Sequence, residues 1–289
     1  MGKKMKELTV KPKTENAYRI LLSSDIHCND LQTWYGVSNA DRMQHWVNCV
    51  KAEHEKHPID LLLLLGDFSL DHWMYGGQWL KHQKSGTGEF FRTYLSQIDD
   101  IPYAAVSGNH EQFSAQKWTE ITGCETETAV VIGNTVFLLL DTFCGDLDPD
   151  HDHDGVYVPQ DAEKLTAILQ KYDGKDIYLA SHWFHPDKET DAFCQLVART
   201  DAIKGLFVGH SHHCTVLECP DRFGLKKIAQ TGNFSYTSQS DITATFWGFR
   251  DLVLSKGTAI STYTVAESDA VLNGETVHIH YQKNNCCEF

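Results

Sequence analysis

The sequence predicts an α/β protein in which sheets and helices are packed in layers. Short, nearly continuous apolar runs alternate with helical patterns along most of the chain, and strand-like segments follow at its end. Alternation of this kind, followed by a strand-rich segment, is typical of sheets covered by helices. Polar residues end each apolar run, which indicates a ligand site at the carboxyl ends of the strands.

Six apolar runs have the length and composition of strands that are buried on both faces. Each run is closed by glycine, aspartate or histidine, which favours a strand over a segment of buried helix. The six runs are residues 18–25, 59–67, 102–108, 135–141, 176–182 and 205–210. Three further strands are predicted at residues 249–255, 258–265 and 276–282.

Helices are predicted between several of these strands. Apolar residues recur every three or four positions over residues 40–56, 159–171 and 187–199. This spacing places them on one face of a helix, which can then pack against a sheet. The resulting order of strands and helices is that of an α/β layered sandwich.

The composition indicates one folded domain. The chain has 289 residues, of which 42% are hydrophobic, enough to bury a large core. No apolar run reaches the ~18–20 residues of a transmembrane helix, and the N-terminus lacks the apolar stretch of a signal peptide. Residues 1–16 are predicted to be a polar tail and residues 17–289 a single domain, since no linker or long repeat divides them.

The charge balance and the cysteines restrict the partners and the compartment. Lys and Arg total 25 against 39 Asp and Glu, which gives a net charge of −14. This charge would repel duplex nucleic acid or an anionic membrane, so we expect neither as a partner. A small anion is not excluded, because a bound metal can invert the charge locally. The nine cysteines have no disulfide-scaffold spacing, which predicts free thiols in the cytoplasm, and oligomeric state has no sequence signal.

Metal-binding residue types collect where the apolar runs end. Because α/β sheets bind ligands at the carboxyl ends of their strands, we expect these separated segments to converge on one crevice. Imidazole, carboxylate and amide oxygen groups suit Zn, Mn or Fe. The residues are Asp25, His27, Asp67, Asn109, His110, His182, His210 and His212.

The number of these side chains predicts two metal ions. Asp25 and His27 are two positions apart, so in an extended segment they would point to the same side and could bind one ion. His210 and His212 have the same spacing. Even without His110, the set contains more ligands than one tetrahedral ion can bind. Two ions that share a carboxylate, about 3.5–4 Å apart, are a known hydrolytic arrangement.

The ordered series D-x-H, G-D, G-N-H-E, H and G-H-x-H resembles that of the calcineurin-like metallophosphoesterase family. The motifs run from residue 25 to residue 212 and so frame most of the chain. The resemblance implies a four-layer αββα sandwich, in which two mixed β-sheets are flanked by helices. It also implies a dinuclear centre of two divalent metal ions, with Mn, Fe and Zn as the candidates.

The resemblance further implies a role for each residue of the series. Asp67 would bridge both ions, while Asn109 and His110 would be the catalytic residues. His110 would contact a phosphoryl oxygen and protonate the leaving group. The first ion would be bound by Asp25, His27, Asp67 and His212. The second would be bound by Asp67, Asn109, His182 and His210.

The fourth motif offers two candidate histidines. Many relatives have this histidine close before a proline, and here both His182 and His185 precede Pro186. His182 directly ends an apolar run and is therefore the chosen ligand, with His185 as the alternative. Purple acid phosphatases place a tyrosine three residues after the G-D aspartate, where this chain has Leu70. The colour of a tyrosinate–iron centre is therefore not expected.

The expected function is the hydrolysis of small phosphate monoesters or diesters, possible nucleotides included. Two divalent ions lower the pKa of a bridging water, and the resulting hydroxide would attack phosphorus in line. One alternative is a nuclease of the same fold, which the net charge of −14 disfavours. Another is a non-catalytic scaffold that binds a partner, which the complete ligand set disfavours.

Two kinds of loop sequence are left open. The acidic stretch at residues 146–154 is either a solvated loop or a lid that attracts metal. Aromatic residues occur in the segments 30–39, 71–79 and 233–236, each after a motif or close to one. They either stack on the organic group of a substrate or pack the loops onto the core.

Overall fold

The computed structural model describes residues 5–14, 17–30, 32–71, 74–75, 78–79, 85–144, 155–237, 242–255 and 257–289. Its strands are β1 (Lys6–Val10), β2 (Ala17–Ser23), β3 (Leu61–Leu65), β4 (Met74–Tyr75), β5 (Gln78–Trp79), β6 (Tyr103–Val106), β7 (Thr128–Ile132), β8 (Thr135–Leu139), β9 (Phe143–Cys144), β10 (Val156–Tyr157), β11 (Asp176–Ser181), β12 (Ile203–Val208), β13 (Val216–Glu218), β14 (Lys227–Gln230), β15 (Gly248–Ser255), β16 (Thr258–Val265), β17 (Ser268–Leu272), β18 (Glu275–Ile279) and β19 (Gln282–Glu288). Its α-helices are α1 (Asn39–Lys56), α2 (Gly86–Glu89), α3 (Ala115–Thr122), α4 (Ala162–Lys171), α5 (Asp191–Arg199), α6 (Pro220–Phe223) and α7 (Ile242–Thr245). A π-helical turn (Phe90–Tyr94) and a 3₁₀ turn (Leu95–Gln97) follow α2.

Two mixed sheets form the centre of the fold. One has seven strands in the order β1-β7-β8-β11-β12-β14-β13, and the other has six in the order β19-β16-β15-β2-β3-β6. Strands β8, β11, β12 and β14 are parallel neighbours in the first sheet. Strands β2, β3 and β6 are parallel neighbours in the second, and antiparallel strands complete it. All the strands predicted from apolar runs lie in these two sheets.

The leucines of β3 show why the runs are continuously apolar. Leu61, Leu63 and Leu65 pack between the two sheets with residues such as Phe137 of β8. The alternate leucines of the strand pack outward, against the cluster that contains Trp46 of α1. Side chains of a strand alternate between its faces, so a strand covered on both sides needs apolar residues at every position.

Helices cover the outer faces of both sheets. Helix α1 packs on the six-stranded sheet, and the side chain of Ser38 caps it by accepting a hydrogen bond from the backbone N–H of Asp41. Leu165 of α4 and Phe193 of α5 pack on the seven-stranded sheet. The layers therefore run helix, sheet, sheet, helix, and the predicted αββα sandwich is confirmed.

Part of the predicted polar tail is an edge strand instead. Residues 6–10 form β1, which pairs in parallel with β7. Val10 is buried and Leu8 half-buried, while the other side chains of β1 are exposed. An edge strand is fixed by backbone hydrogen bonds and needs few inward apolar residues, so its sequence looks polar. The assignment of residues 17–289 to a single domain stays a prediction.

Three further expectations from the sequence concern loop segments, membrane helices and cysteines. The acidic stretch 146–154 lies outside the described residues, as does much of 71–79. In the described part of the chain, no helix is both long and apolar enough to cross a membrane. Every cysteine whose side chain is described is free.

Candidate metal centre

The predicted ligands lie on loops at one edge of the two central sheets. Each loop follows one of the parallel strands β2, β3, β6, β11 and β12, so the carboxyl ends of these strands bring the loops together. The residues on these loops are Asp25, His27, Asp67, Asn109, His110, His182, His210 and His212.

Side chains of seven of these residues form three overlapping groups. Within each group the ligand atoms lie within 4.8 Å of one another. The groups are Asp25, His27 and His212; His27, Asp67 and His110; and Asp67, His182 and His210. Asp67 belongs to two groups and joins the two ends of the row. All members are buried except His210, which is half-buried.

The first group has the chemistry of a cation site. The Nε2 atoms of His27 and His212 are 3.1 Å apart, and His212 Nε2 is 3.4 Å from Asp25 Oδ1. Asp25 Oδ1 is buried without a hydrogen-bond partner. A buried carboxylate oxygen is costly to leave unpaired, and a divalent cation between these three side chains would satisfy it. The residues therefore fit a bound metal ion.

The amide of Asn109 lies in the middle of the other end. Its Oδ1 is 3.0 Å from His182 Nε2 and 3.0 Å from His210 Nδ1. His182 Nε2 is in turn 3.2 Å from Asp67 Oδ2. This end therefore offers two ring nitrogens, an amide oxygen and a carboxylate oxygen, a set that suits Zn, Mn or Fe.

Backbone carbonyls fix the orientation of two of the imidazole rings. His182 Nδ1 lies 2.7 Å from the carbonyl oxygen of Leu65, and His212 Nδ1 lies 2.5 Å from that of Tyr236. When each Nδ1–H donates to its carbonyl, Nε2 is left as the atom that faces the cluster. Such contacts are the usual support of metal-binding histidines.

The pKa values of the ligand histidines are shifted in different directions. Burial lowers the pKa of His27 well below its usual value. Burial, aided by nearby His182, lowers the pKa of His210 to about 3, and neutral imidazole is the form that binds metal. At His182, Asp67 outweighs the effect of burial and raises the pKa to about 9. A cation bound there would therefore displace a proton.

The carboxylates of the site respond differently to the same surroundings. Burial alone would raise the pKa of Asp67, but His182 and His110 outweigh it and lower this pKa well below its usual value. At Asp25 burial prevails over His212 and raises the pKa. The surroundings of Asp67, the carboxylate shared between two groups, therefore favour its ionised form, which is the form that binds cations.

Five of the proposed ligands have a left-handed backbone conformation, which sets the direction of their side chains. Their φ angles are 52° at Asp25, 47° at His27, 54° at Asp67, 68° at His210 and 57° at His212. A non-glycine residue in this region costs about 1–3 kcal/mol, and such strain clusters at functional sites. Backbone hydrogen bonds hold the turns, such as that from Asp25 N to the carbonyl of Gly66 at 3.1 Å.

The sequence predicts that ligands pair because side chains alternate along an extended strand, and this explanation is wrong. Asp25 and His27 do share a group, but they lie on left-handed turns rather than in an extended segment. His210 and His212, with the same spacing, fall into different groups. Each left-handed residue turns the chain sharply, so the side chains are aimed one by one and the period of two does not apply.

Glu111 supports the centre in a way that the sequence did not indicate. Its buried carboxylate accepts backbone N–H bonds from Asp67 at 2.8 Å, Phe68 at 2.8 Å, Ser69 at 3.2 Å and Gly108 at 2.7 Å. Burial raises the pKa of Glu111 to about 8. Its position in the G-N-H-E motif was the available signal, but the direction of its side chain is set by tertiary structure.

Arg42 of α1 is a second supporting residue that was missed. Its guanidinium is buried and donates to the backbone carbonyls of Ile26, His27 and Phe234, the last two at 2.8 and 2.5 Å. It also donates to the side chain of Asn39 at 3.1 Å. These bonds connect the loop after β2 with the loop after β14. Burial lowers the pKa of Arg42 to about 9.

His185, the alternative for the fourth motif, lies apart from the cluster. It belongs to none of the three groups found among the described residues. Its backbone N–H donates to the hydroxyl of Tyr157 at 3.0 Å, and the two rings are 6.0 Å apart. The geometry therefore favours His182 over His185 as the ligand that we propose.

Comparison with known proteins gives the class of the chain. The family model described as calcineurin-like phosphoesterase matches residues 18–214, well over half of the sequence. The chain therefore belongs to the calcineurin-like phosphoesterase family. Membership supports a metal-dependent phosphoesterase, although some members of the family are non-catalytic. No curated protein matches the sequence.

Several solved structures are similar to this chain. Vacuolar protein sorting 29 from Cryptosporidium parvum is 13% identical, with 95% of this chain and 99% of that chain covered and a TM-score of 0.41. GAP50 of Plasmodium, described as the anchor in the inner membrane complex, is 12% identical, with 93% and 90% covered and a TM-score of 0.49. Vps29 from Entamoeba histolytica complexed with zinc is 13% identical, with 94% and 98% covered and a TM-score of 0.40. Similarities this low say nothing about function.

Proposed function

We propose that this chain hydrolyses small phosphate esters at the metal centre with two divalent cations bound. The observation that carries the proposal is the row of three ligand groups joined by the buried Asp67 carboxylate. The first cation would be bound by Asp25, His27, Asp67 and His212. The second would be bound by Asp67, Asn109, His182 and His210.

The charge of the site suits a phosphate substrate. Two divalent cations bring four positive charges, while Asp25 and Asp67 supply at most two negative charges. The surplus would attract a phosphate group even though the whole chain has a net charge of −14. When bound, such a cation pair makes hydroxide available near neutral pH and neutralises charge on phosphoryl oxygens.

His110 is the proposed proton donor to the leaving group. Its Nε2 atom is 3.8 Å from Asp67 Oδ2, and its ring lies edge-on to that of His27 with centroids 5.3 Å apart. His110 belongs to one of the two ligand groups that contain Asp67, but neither of the proposed cations needs it as a ligand. An imidazole in this place can donate a proton to the departing oxygen during in-line displacement.

The proposal is tested by metal content and turnover measured together. Elemental analysis of the purified chain should give two divalent ions per chain, and p-nitrophenyl phosphate or bis-p-nitrophenyl phosphate should be hydrolysed with Mn²⁺ or Zn²⁺. Asp67→Asn should abolish turnover and leave the fold intact. Asp201→Asn, at an exposed carboxylate two residues before β12, is the matched control.

Two results would favour the alternatives. A fully metal-loaded chain that is inert with the whole ester panel would indicate a non-catalytic scaffold. Cleavage of single-stranded DNA with a steep dependence on salt would indicate a nuclease. Retained turnover in Asp67→Asn would contradict the proposed site itself.

A further inference from the structure

Two aromatic side chains lie against the imidazole rings of the metal centre. The rings of Trp34 and Tyr236 are 5.8 Å apart at an angle of 40°; we call this pair the aromatic corner. Tyr236 is stacked on His27 at 6.1 Å and lies 4.2 Å from the ring of His212. Trp34 lies edge-on to His27 at 6.2 Å.

The rings of the aromatic corner are accessible, whereas the ring of Phe234 is not. Tyr236 is 38% exposed and Trp34 is half-buried. Phe234, two residues before Tyr236, is fully buried and stacks on Trp247 in the core. Trp34 and Tyr236 therefore present accessible ring surface next to the first ligand group, and Phe234 does not.

Both rings are fixed relative to the ligands. The guanidinium of Arg42 lies 4.6 Å from the centre of the Trp34 ring, and the same group donates to the carbonyl of His27 at 2.8 Å. The backbone carbonyl of Tyr236 is 2.5 Å from His212 Nδ1. The groups that position the first ligand group thus also fix the two rings, and an aromatic group bound there would lie at a defined distance from the ligands.

We propose that the aromatic corner binds a planar aromatic group of the substrate, a nucleobase or an aryl group, while the phosphate lies at the metal centre. This inference rests on the proposed function and names the class of ester. Exposed indole and phenol rings stack on nucleobases and aryl groups with little dependence on their identity. The aromatic group would lie on the side of His27 and His212, away from His182 and His210.

The test compares esters that differ only in the aromatic group. Adenosine 5′-monophosphate is paired with ribose 5-phosphate, and benzyl phosphate with cyclohexylmethyl phosphate, each also as the methyl diester. We expect the metal-loaded protein to prefer the aromatic member by about tenfold in kcat/KM, mainly through KM. Preference in the nucleotide pair alone indicates a nucleobase, and preference in the benzyl pair indicates an aryl group.

Variants of the aromatic corner show whether it causes the preference. Trp34→Ala should remove it by raising KM for the aromatic member about tenfold, with less than about twofold change for the other. Trp34→Phe should restore most of it. Tyr281→Ala, which removes a tyrosine of similar exposure next to Lys56, is the control. Equal losses on both members of a pair, or no preference in the unaltered protein, would overturn the proposal.

Binding measurements separate this proposal from the proposed function. Calorimetric titration of the metal-loaded protein with the corresponding phosphonates, which cannot be hydrolysed, does not depend on turnover. Tighter binding of the aromatic member, lost in Trp34→Ala, would support the aromatic corner even if no ester is hydrolysed. Equal binding of both members would overturn it even in an active enzyme.

Discussion

The carboxylate of Glu111 binds the backbone of Asp67, whose own carboxylate belongs to two ligand groups of the metal centre. The backbone N–H of Asp67 donates to the Glu111 carboxylate at 2.8 Å, while the Asp67 carboxylate points the other way, 3.2 Å from His182. The backbone that carries the shared ligand is thus fixed from behind by a buried acid. Loss of Glu111 should therefore disturb metal binding, although it is not in any ligand group among the described residues.

Replacing Glu111 tests this support. In the unaltered chain, backbone N–H groups donate to the Glu111 carboxylate. In Glu111→Gln, an NH₂ group, which is itself a donor, takes the place of one acceptor oxygen, so Asp67 should lose its position. We expect metal affinity to fall at least about tenfold, the usual effect of removing a contact that orients a ligand. Metal affinity is measured by calorimetry, with the exposed Glu120→Gln as control. Unchanged affinity would show that Asp67 is positioned without Glu111.

Arg42 should matter for stability as well as for the site. Arg42→Met leaves three buried carbonyls without their donor, which should cost about 2–4 kcal/mol of unfolding free energy. Arg42→Lys should recover part of this loss, because an ammonium group can still donate to some of these carbonyls. Urea unfolding measures the effect, and Arg199→Met, at an exposed position, is the control. A loss below about 0.5 kcal/mol would contradict the assigned role.

A buried ion pair far from the ligands should affect stability alone. Arg19 of β2 lies 2.8 Å from Asp251 of β15 and 2.7 Å from Glu53 of α1. Asp251→Ala leaves the buried guanidinium partly unpaired and should cost about 3 kcal/mol. Urea unfolding should show this loss, while kcat/KM at low temperature stays unchanged.

An exposed ion pair provides the comparison for Asp251. Lys171 and Glu7 lie 2.6 Å apart with about half of each side chain exposed. Lys171→Met should therefore change the unfolding free energy by less than about 1 kcal/mol. If the two variants lose equal stability, burial of the Arg19 pair is not what makes it important.

Asp141 should make stability depend on pH. Burial raises the pKa of Asp141 to about 7, so the folded chain binds this proton more tightly than the unfolded chain does. Stability from this group is then full below about pH 4 and is lost as the pH rises towards about 7. Asp141→Asn cannot ionise, and its Oδ1 can still accept the hydrogen bond from Ser107, which is 3.0 Å long.

The comparison of Asp141→Asn with the unaltered chain uses metal-free protein. We expect Asp141→Asn to be more stable by at least about 1 kcal/mol at about pH 8, the equivalent of one pKa unit, and equally stable at about pH 4. Urea unfolding at both pH values measures the difference, with the exposed Asp99→Asn as control. An equal effect at both pH values would show that titration of Asp141 is not involved.

The buried strands were predictable because a strand that is covered on both faces needs an apolar residue at every position, which is visible in the sequence. Strand β3 is covered on both faces, so all its residues are leucine and its end is sharp. Strand β1 at the sheet edge needs few apolar residues, and β14, with only Lys227–Gln230, is too short to show a period. Such elements are fixed by pairing with a neighbour, which a local pattern does not record.

The ligand types were predictable for a related reason, and their surroundings were not. Histidine and aspartate at the end of an apolar run are conspicuous, as at His182. The directions of the Arg42 and Glu111 side chains depend on carbonyl and N–H groups from distant parts of the chain. Gly108 is similar, because a Cβ atom there would lie 2.1 Å from Asp67 Oδ1, a contact visible only after folding.

The left-handed turns at Asp25, His27 and Asp67 also decide how the centre should be dissected by mutagenesis. Asparagine tolerates that backbone conformation better than most residues, whereas valine or isoleucine opposes it. An Asp→Asn exchange thus removes a charge and spares the turn. A β-branched replacement would distort the loop as well, so inactivity in such a variant would not reveal whether chemistry or architecture had failed.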